Sequence, residues 1–239
     1  RVFDYVLANP NPKLHLNVTS NFSVEPELFN KYLDYVKQLT SNEPKYLEHF
    51  MQYVSVDATF FKAEYARHGL KFERLWENVN RFLNEVPDRS SLTFIITMNS
   101  LNVTGFHDLI NCIHGLRQIY SKTYQRVWFD TPILRKPEWQ SLQILPPVYI
   151  DALDRVANWM ELNIETADRP FQGFKDYEVQ RLQRIVDQMD PIKWKFANSV
   201  KADFYKFFSE HDRRRNTNFL DTFPEMSEWW DECKYWGTQ

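Results

Sequence analysis

Glycine is scarce here, with five Gly against eight Trp in 239 residues. None builds a Gly-rich loop, so the Rossmann and P-loop fingerprints for nucleotide phosphates are missing. Cysteine is scarcer still: Cys112 and Cys233 stand alone and far apart. That excludes a disulfide scaffold and a cysteine-built metal site within this chain, and a reducing, cytoplasmic location is expected. No apolar run approaches the ~20 residues of a membrane span, so no membrane partner is expected. A net charge of -3 gives no bulk attraction to nucleic acid, which is not an expected partner. No Ser or Cys sits in a nucleophile-elbow context. His107 and His114 are two helical turns apart, not at the spacing of a zinc-binding helix. Arg1-Val2-Phe3-Asp4-Tyr5-Val6-Leu7 lacks an initiator Met and a signal-peptide core. It reads as the middle of a helix, so the chain is expected to begin inside a longer protein.

What is present is ordinary globular composition, 43% hydrophobic and 26% charged. The pattern alternates between strand and helix. A helix over 1–8 is stopped by Asn9-Pro10-Asn11-Pro12, and a strand follows over 13–19. Ser23 or Glu25-Pro26 opens a helix carrying Leu28, Tyr32, Leu33, Tyr35, Val36 and Leu39. A helical or irregular link over 44–50 leads to a strand at 52–58. The next helix starts near Phe72 and ends at Val86-Pro87. Leu92–Asn99 is the most apolar strand, and Thr104 or Asn102 is expected to cap the helix after it. Arg126–Thr131 is a fourth strand. Residues 142–147 are expected to pair briefly before a helix at 148–162. The sequons at Asn17, Asn21 and Asn102 are read as chance.

Strands alternating with helices imply βαβ units and an α/β fold with a parallel sheet. Each strand ends in small polar residues: Thr19 and Asn21, Ser55 and Asp57, Thr97 and Asn99, Asp130 and Thr131. Parallel α/β folds bind ligands at the carboxyl ends of their strands, so four such ends predict a site. Asp57 is either an acceptor for a ribose hydroxyl or ammonium group, or a cap for the following turn. Arg67 is either a clamp for a carboxylate or a solvated helix-end residue.

From about residue 166 the pattern becomes helical. One helix carries Tyr177, Val179, Leu182, Ile185, Val186 and Met189 and ends at Asp190-Pro191. Another, over 193–210, carries Trp194, Phe196, Val200, Phe204, Tyr205 and Phe208. The last runs from Pro224 to Tyr235. This predicts residues 1–165 as barrel or sheet and 166–239 as a helical tail packed on it. Arg213-Arg214-Arg215, beside Glu210 and Asp212, is read as an intramolecular ion-pair cluster. A nucleic-acid patch is the weaker alternative.

Several stretches resemble the radical S-adenosylmethionine (SAM) enzymes, in particular their twitch-domain group. They are Leu16–Asn21, the strand Val54-Ser55-Val56-Asp57-Ala58 with Glu64-Tyr65-Ala66-Arg67-His68-Gly69, and Phe94–Asn99. The segment Phe208–Glu225 resembles the closing signature of that group. The resemblance implies a partial parallel (β/α) barrel of radical SAM type, of which this chain would be strands three to six of six plus the tail. In that family a Cys-x-x-x-Cys-x-x-Cys loop after the first strand holds a [4Fe-4S] cluster, and a Gly-Gly-Glu-type motif after the second binds the methionine amine. Neither is here, so the chain alone is expected to bind no cluster and to be inactive. Ser55-Val56-Asp57-Ala58 matches the family's fourth strand, whereas Thr19-Ser20-Asn21-Phe22 departs from the Thr-Asn-Gly of its third. The resemblance implies that Ser55 and Asp57 face S-adenosylmethionine, that Arg67 meets its carboxylate, and that Thr19, Asn21 and Asn99 line the pocket. The implied chemistry in the full-length parent is one-electron reductive cleavage of the sulfonium by the cluster, giving a radical that abstracts hydrogen from an unknown substrate, a peptide, sugar or other small molecule. The alternative reading is a non-catalytic α/β binding or interaction protein.

Overall fold

A computed structural model describes residues 1–86, 89–189 and 198–239. The helix stops expected at Pro87 and at Asp190-Pro191, with Trp194 and Phe196 of the tail, lie outside the described residues. The strands are β1 (His15–Ser20), β2 (His49–Ser55), β3 (Ser90–Ile95) and β4 (Val127–Asp130). All neighbours pair in parallel and the spatial order is β1-β2-β3-β4. Each strand therefore adds to the same side of its predecessor. With the right-handed crossovers that βαβ units adopt, such an order sends every connecting helix to one face.

Burial follows that topology. Phe50 and Val54 of β2, Leu92 and Phe94 of β3, and Val127 of β4 are fully buried in one core with the helices. That core includes Phe29, Leu33 and Val36 of α2 (Pro26–Leu39), with Leu75, Val79 and Phe82 of α4 (Phe72–Glu85). It also includes Leu109 and Ile113 of α5 (Phe106–Tyr120). Burying each such side chain stabilises the fold by ~1.5–3 kcal/mol. The opposite face differs. There His15, Asn17 and Thr19 of β1 are exposed and Met51, Tyr53 and Ser55 of β2 are half-buried, while Ser91 and Thr93 of β3 are buried.

Several boundaries depart from the sequence expectation. β2 begins at His49, inside the segment expected to be a link, and ends at Ser55, so Asp57 lies beyond the strand. Its register explains the early start, because Phe50 pairs with Ser90 and is fully buried. A short helix, α3 (Phe60–Ala66), was not expected and occupies the turn after Asp57. Neither Thr104 nor Asn102 caps α5; its N-cap is Gly105, with no side-chain cap bond. Asn102 is committed elsewhere, accepting from the Asn99 N–H and donating to the Thr97 carbonyl. Residues 142–144 form a 3-10 turn rather than a brief strand. On α2, Leu28 is exposed and Phe29 takes the buried position.

The remaining elements are α1 (Val2–Ala8), α6 (Pro147–Glu161), α7 (Asp176–Gln188), α8 (Asn198–Arg215), α9 (Phe219–Thr222) and α10 (Ser227–Gly237). α7 packs on α6, α10 packs on α8, and α9 meets α3. Arg117 of α5 joins the helical tail to the sheet. Its guanidinium donates to Glu178 at 2.7 and 2.8 Å, to the Val127 carbonyl at 2.9 Å and to the Gly173 carbonyl at 3.0 Å. Both side chains are essentially inaccessible, so each charge depends on these partners. Gly173 is needed where it stands: a Cβ there would lie 2.3 Å from the Glu165 backbone nitrogen. No described helix is long and apolar enough to cross a membrane.

Candidate functional site

The carboxyl edge of the sheet is organised around Asp57. Its Oδ1 accepts from the Thr97 backbone N–H at 2.9 Å, which ties the end of β2 to the end of β3. Its Oδ2 accepts from Arg67 Nε at 2.8 Å. Asp57 is buried and Arg67 half-buried. The capping alternative fails, since the N-cap of α3 is Thr59 and that helix has no side-chain cap bond. Only Nε of Arg67 is used, and among the described residues its terminal nitrogens have no hydrogen-bond partner. Ser55 is the last residue of β2, on the half-exposed face, and its hydroxyl likewise has no partner among the described residues.

The segment after Asp57 divides its tasks residue by residue. Glu64 accepts from the Phe72 N–H at 3.1 Å and from Lys71 at 3.3 Å, and so satisfies the start of α4. Tyr65 donates its hydroxyl to Asp212 at 2.9 Å. Arg67 holds Asp57. Gly69 has φ +82, a conformation glycine adopts without penalty, and it turns the chain from α3 into α4.

The tail reaches this edge through α3. Asp212 also accepts from Thr217 Oγ1 at 2.7 Å and the Phe219 N–H at 2.7 Å, and Tyr65 packs edge-on against Phe219 and Phe223. Burial and the adjacent Asp212 carboxylate raise the Tyr65 pKa, which keeps the hydroxyl a donor. Lys62 of α3 donates to Glu225 at 2.6 Å and to Thr104 at 3.2 Å. Burial alone would raise Glu225, but the Lys62 and Thr104 bonds outweigh it and hold the carboxyl below its usual value.

The other expected site residues are placed unequally. Thr19 is exposed on the open face of β1, opposite Tyr53. Asn21 is turned to its own backbone, accepting from the Ser23 N–H at 3.2 Å. Asn99 is a turn-former: it donates to the Thr97 carbonyl at 2.7 Å and accepts from the Leu101 N–H at 2.9 Å. It meets Asp57 only through Thr97, whose N–H Asp57 holds. The structure thus brings Asp57 and Arg67 together, leaves Ser55 at the end of β2, and gives Asn21 and Asn99 local work. Sequence reasoning missed the Thr97 N–H as the anchor of Asp57, because a backbone donor leaves no side-chain signal.

His107 and His114 both pack edge-on against Trp159. Arg213 and Arg214 both pair with Glu210, and Arg215 lies 2.7 Å from His211. Cys112 and the buried Cys233 are both free. No group of three or more His, Cys, Asp or Glu among the described residues is placed to hold a metal ion. No protein-family model, curated protein or solved structure matches this chain.

Proposed function

We propose that this chain forms the later strands and the helical tail of a radical SAM enzyme, with Ser55, Asp57 and Arg67 as one wall of its S-adenosylmethionine site. The observation that supports this most is the sheet order. Four parallel strands in sequential order are compatible with a segment of a partial (β/α) barrel, whereas the order of a doubly wound sheet reverses at a switch point. The half-exposed face is then the barrel interior, and Ser55 and Asp57 stand at its carboxyl rim. In this reading the β1 edge receives the strands that precede it.

The residues suit the cofactor's polar parts. The terminal nitrogens of Arg67 are available for a carboxylate in the forked geometry that guanidinium favours. The Ser55 hydroxyl can donate or accept. Asp57 orients Arg67 and retains acceptor capacity for a hydroxyl or ammonium group. The cofactor supplies the one-electron chemistry, while these residues bind, orient and exclude water. A [4Fe-4S] cluster does not fit this chain. Cys112 lies on α5 and Cys233 is buried in α10, so its ligands must come from elsewhere.

One observation favours the second reading, a non-catalytic α/β interaction protein: both carboxylate oxygens of Asp57 are already engaged within the chain, by Arg67 Nε and the Thr97 N–H. Asp57→Ala in the parent polypeptide separates the two. Under the cofactor reading, calorimetry shows S-adenosylmethionine binding to the parent that weakens about tenfold or more in the variant, with the far-ultraviolet circular dichroism unchanged. If the parent binds no S-adenosylmethionine and the substitution only lowers the unfolding midpoint, the pair is structural.

A further inference from the structure

A second feature of the carboxyl edge lies at the far end of the sheet. Beyond β4 a pocket of about 240 Å³ is lined by Thr131, Ile133, Arg135, Arg181 and Arg184, among others. Two separate parts of the chain supply its arginines. Arg135 comes from the loop after β4, while Arg181 and Arg184 lie one turn apart on α7. Arg181 is neutralised by an ion pair with Asp130, the last residue of β4. Arg135 and Arg184 have no ion pair or hydrogen bond to any residue among those described. Thr131 is buried, with 3% of its surface accessible.

Three guanidinium groups line one open pocket, and among the described residues only Arg181 has an acidic partner. The balance of two uncompensated positive charges matches a dianion better than a monocarboxylate. Guanidinium forks suit phosphate oxygens bidentately, and the Thr131 hydroxyl adds a group of hydrogen-bonding type. The cavity is below the usual size range for a drug-sized ligand, and so fits one terminal group rather than a whole cofactor. We infer that this pocket binds the phosphoryl group of a phosphate monoester. The inference stands on the pocket itself. Joined to the proposed cofactor site on the same rim, it makes the substrate a phosphorylated molecule anchored at β4 and presented toward β2.

Calorimetric titration of the full chain with phenyl phosphate at low ionic strength tests this without cofactor or cluster, so its outcome is independent of the S-adenosylmethionine reading. The expected result is saturable binding, displaced by inorganic phosphate, and weakened about tenfold by either Arg184→Ala or Arg135→Ala. Both arginines are exposed, so neither change removes core packing. Arg214→Ala, on the tail and away from the pocket, should leave the affinity unchanged. Absence of saturable binding, equal binding of acetate, or equal affinity in the Arg135→Ala/Arg184→Ala double variant would each overturn the assignment.

Discussion

Tyr65 and Asp212 are 147 positions apart in sequence, and their side chains meet at 2.9 Å. One belongs to the segment following the Ser55–Asp57 edge and the other to the helical tail. The tail is therefore fastened at α3, close to the proposed site. Removing the hydroxyl with Tyr65→Phe keeps the ring contacts and costs Asp212 one of its donors. The expected loss is about 1–2 kcal/mol, with faster amide exchange in α8 and α9 than in the sheet. Uniform acceleration across the sheet would place the tail inside the global folding unit instead.

Asp57→Ala leaves both the Thr97 N–H and Arg67 Nε without their acceptor. Because Asp57 is buried and Arg67 half-buried, the expected cost is about 1–3 kcal/mol by urea unfolding. Asp57→Asn can still accept one of the two bonds and should lose less.

Arg117 and Glu178 form the most completely buried ion pair among the described residues. Breaking it from one side leaves a charge without compensation. Glu178→Leu or Arg117→Met should each cost about 3–5 kcal/mol, while the two together should recover part of that loss. A double-variant loss equal to the sum of the single ones would mean that the two residues act separately.

Three histidines share one direction of shift. Burial is the largest cause for His49, His114 and His211, and all three are held below the ordinary imidazole value. The unfolded chain therefore takes up protons before the folded one does. Stability should be level above about pH 6.5 and fall as the pH drops below it. Urea midpoints measured between about pH 7.5 and 5.5 should show that slope, and replacing His49 with Gln should reduce it.

Much of the sheet was legible because its strands are short β-branched and aromatic runs bounded by Pro, Asn and Ser. The alternation of Phe50, Gln52 and Val54 against Met51, Tyr53 and Ser55 follows from the pleat. The start of β2 was not legible, since His49-Phe50-Met51 carries no strand signature until Phe50 is paired and buried. α3 escaped because it is seven residues long, has no side-chain cap and exposes Phe60 and Phe61. Asn21 and Asn99 resembled ligand contacts because asparagine suits both a site and a turn, and only their hydrogen bonds separate the two. The Asp57–Arg67 pair spans ten residues, a distance no helical or strand period connects. Arg135 and Arg184 could not be associated at all, since it takes the docking of α7 beside β4 to bring them together.

The central claim is that Ser55, Asp57 and Arg67 belong to a radical SAM site completed by residues outside this chain. Its most direct test is anaerobic reconstitution, with iron and sulfide, of the polypeptide encoded through Gln239 together with whatever precedes Arg1. S-adenosylmethionine and a strong reductant are then added and 5′-deoxyadenosine is quantified. The account predicts a Cys-x-x-x-Cys-x-x-Cys triplet ahead of Arg1, broad cluster absorption near ~400 nm and release of 5′-deoxyadenosine. Asp57→Ala should cut that release about tenfold or more while leaving the absorption in place. A gene that supplies no such triplet, or a reconstituted protein that leaves S-adenosylmethionine intact, would contradict it.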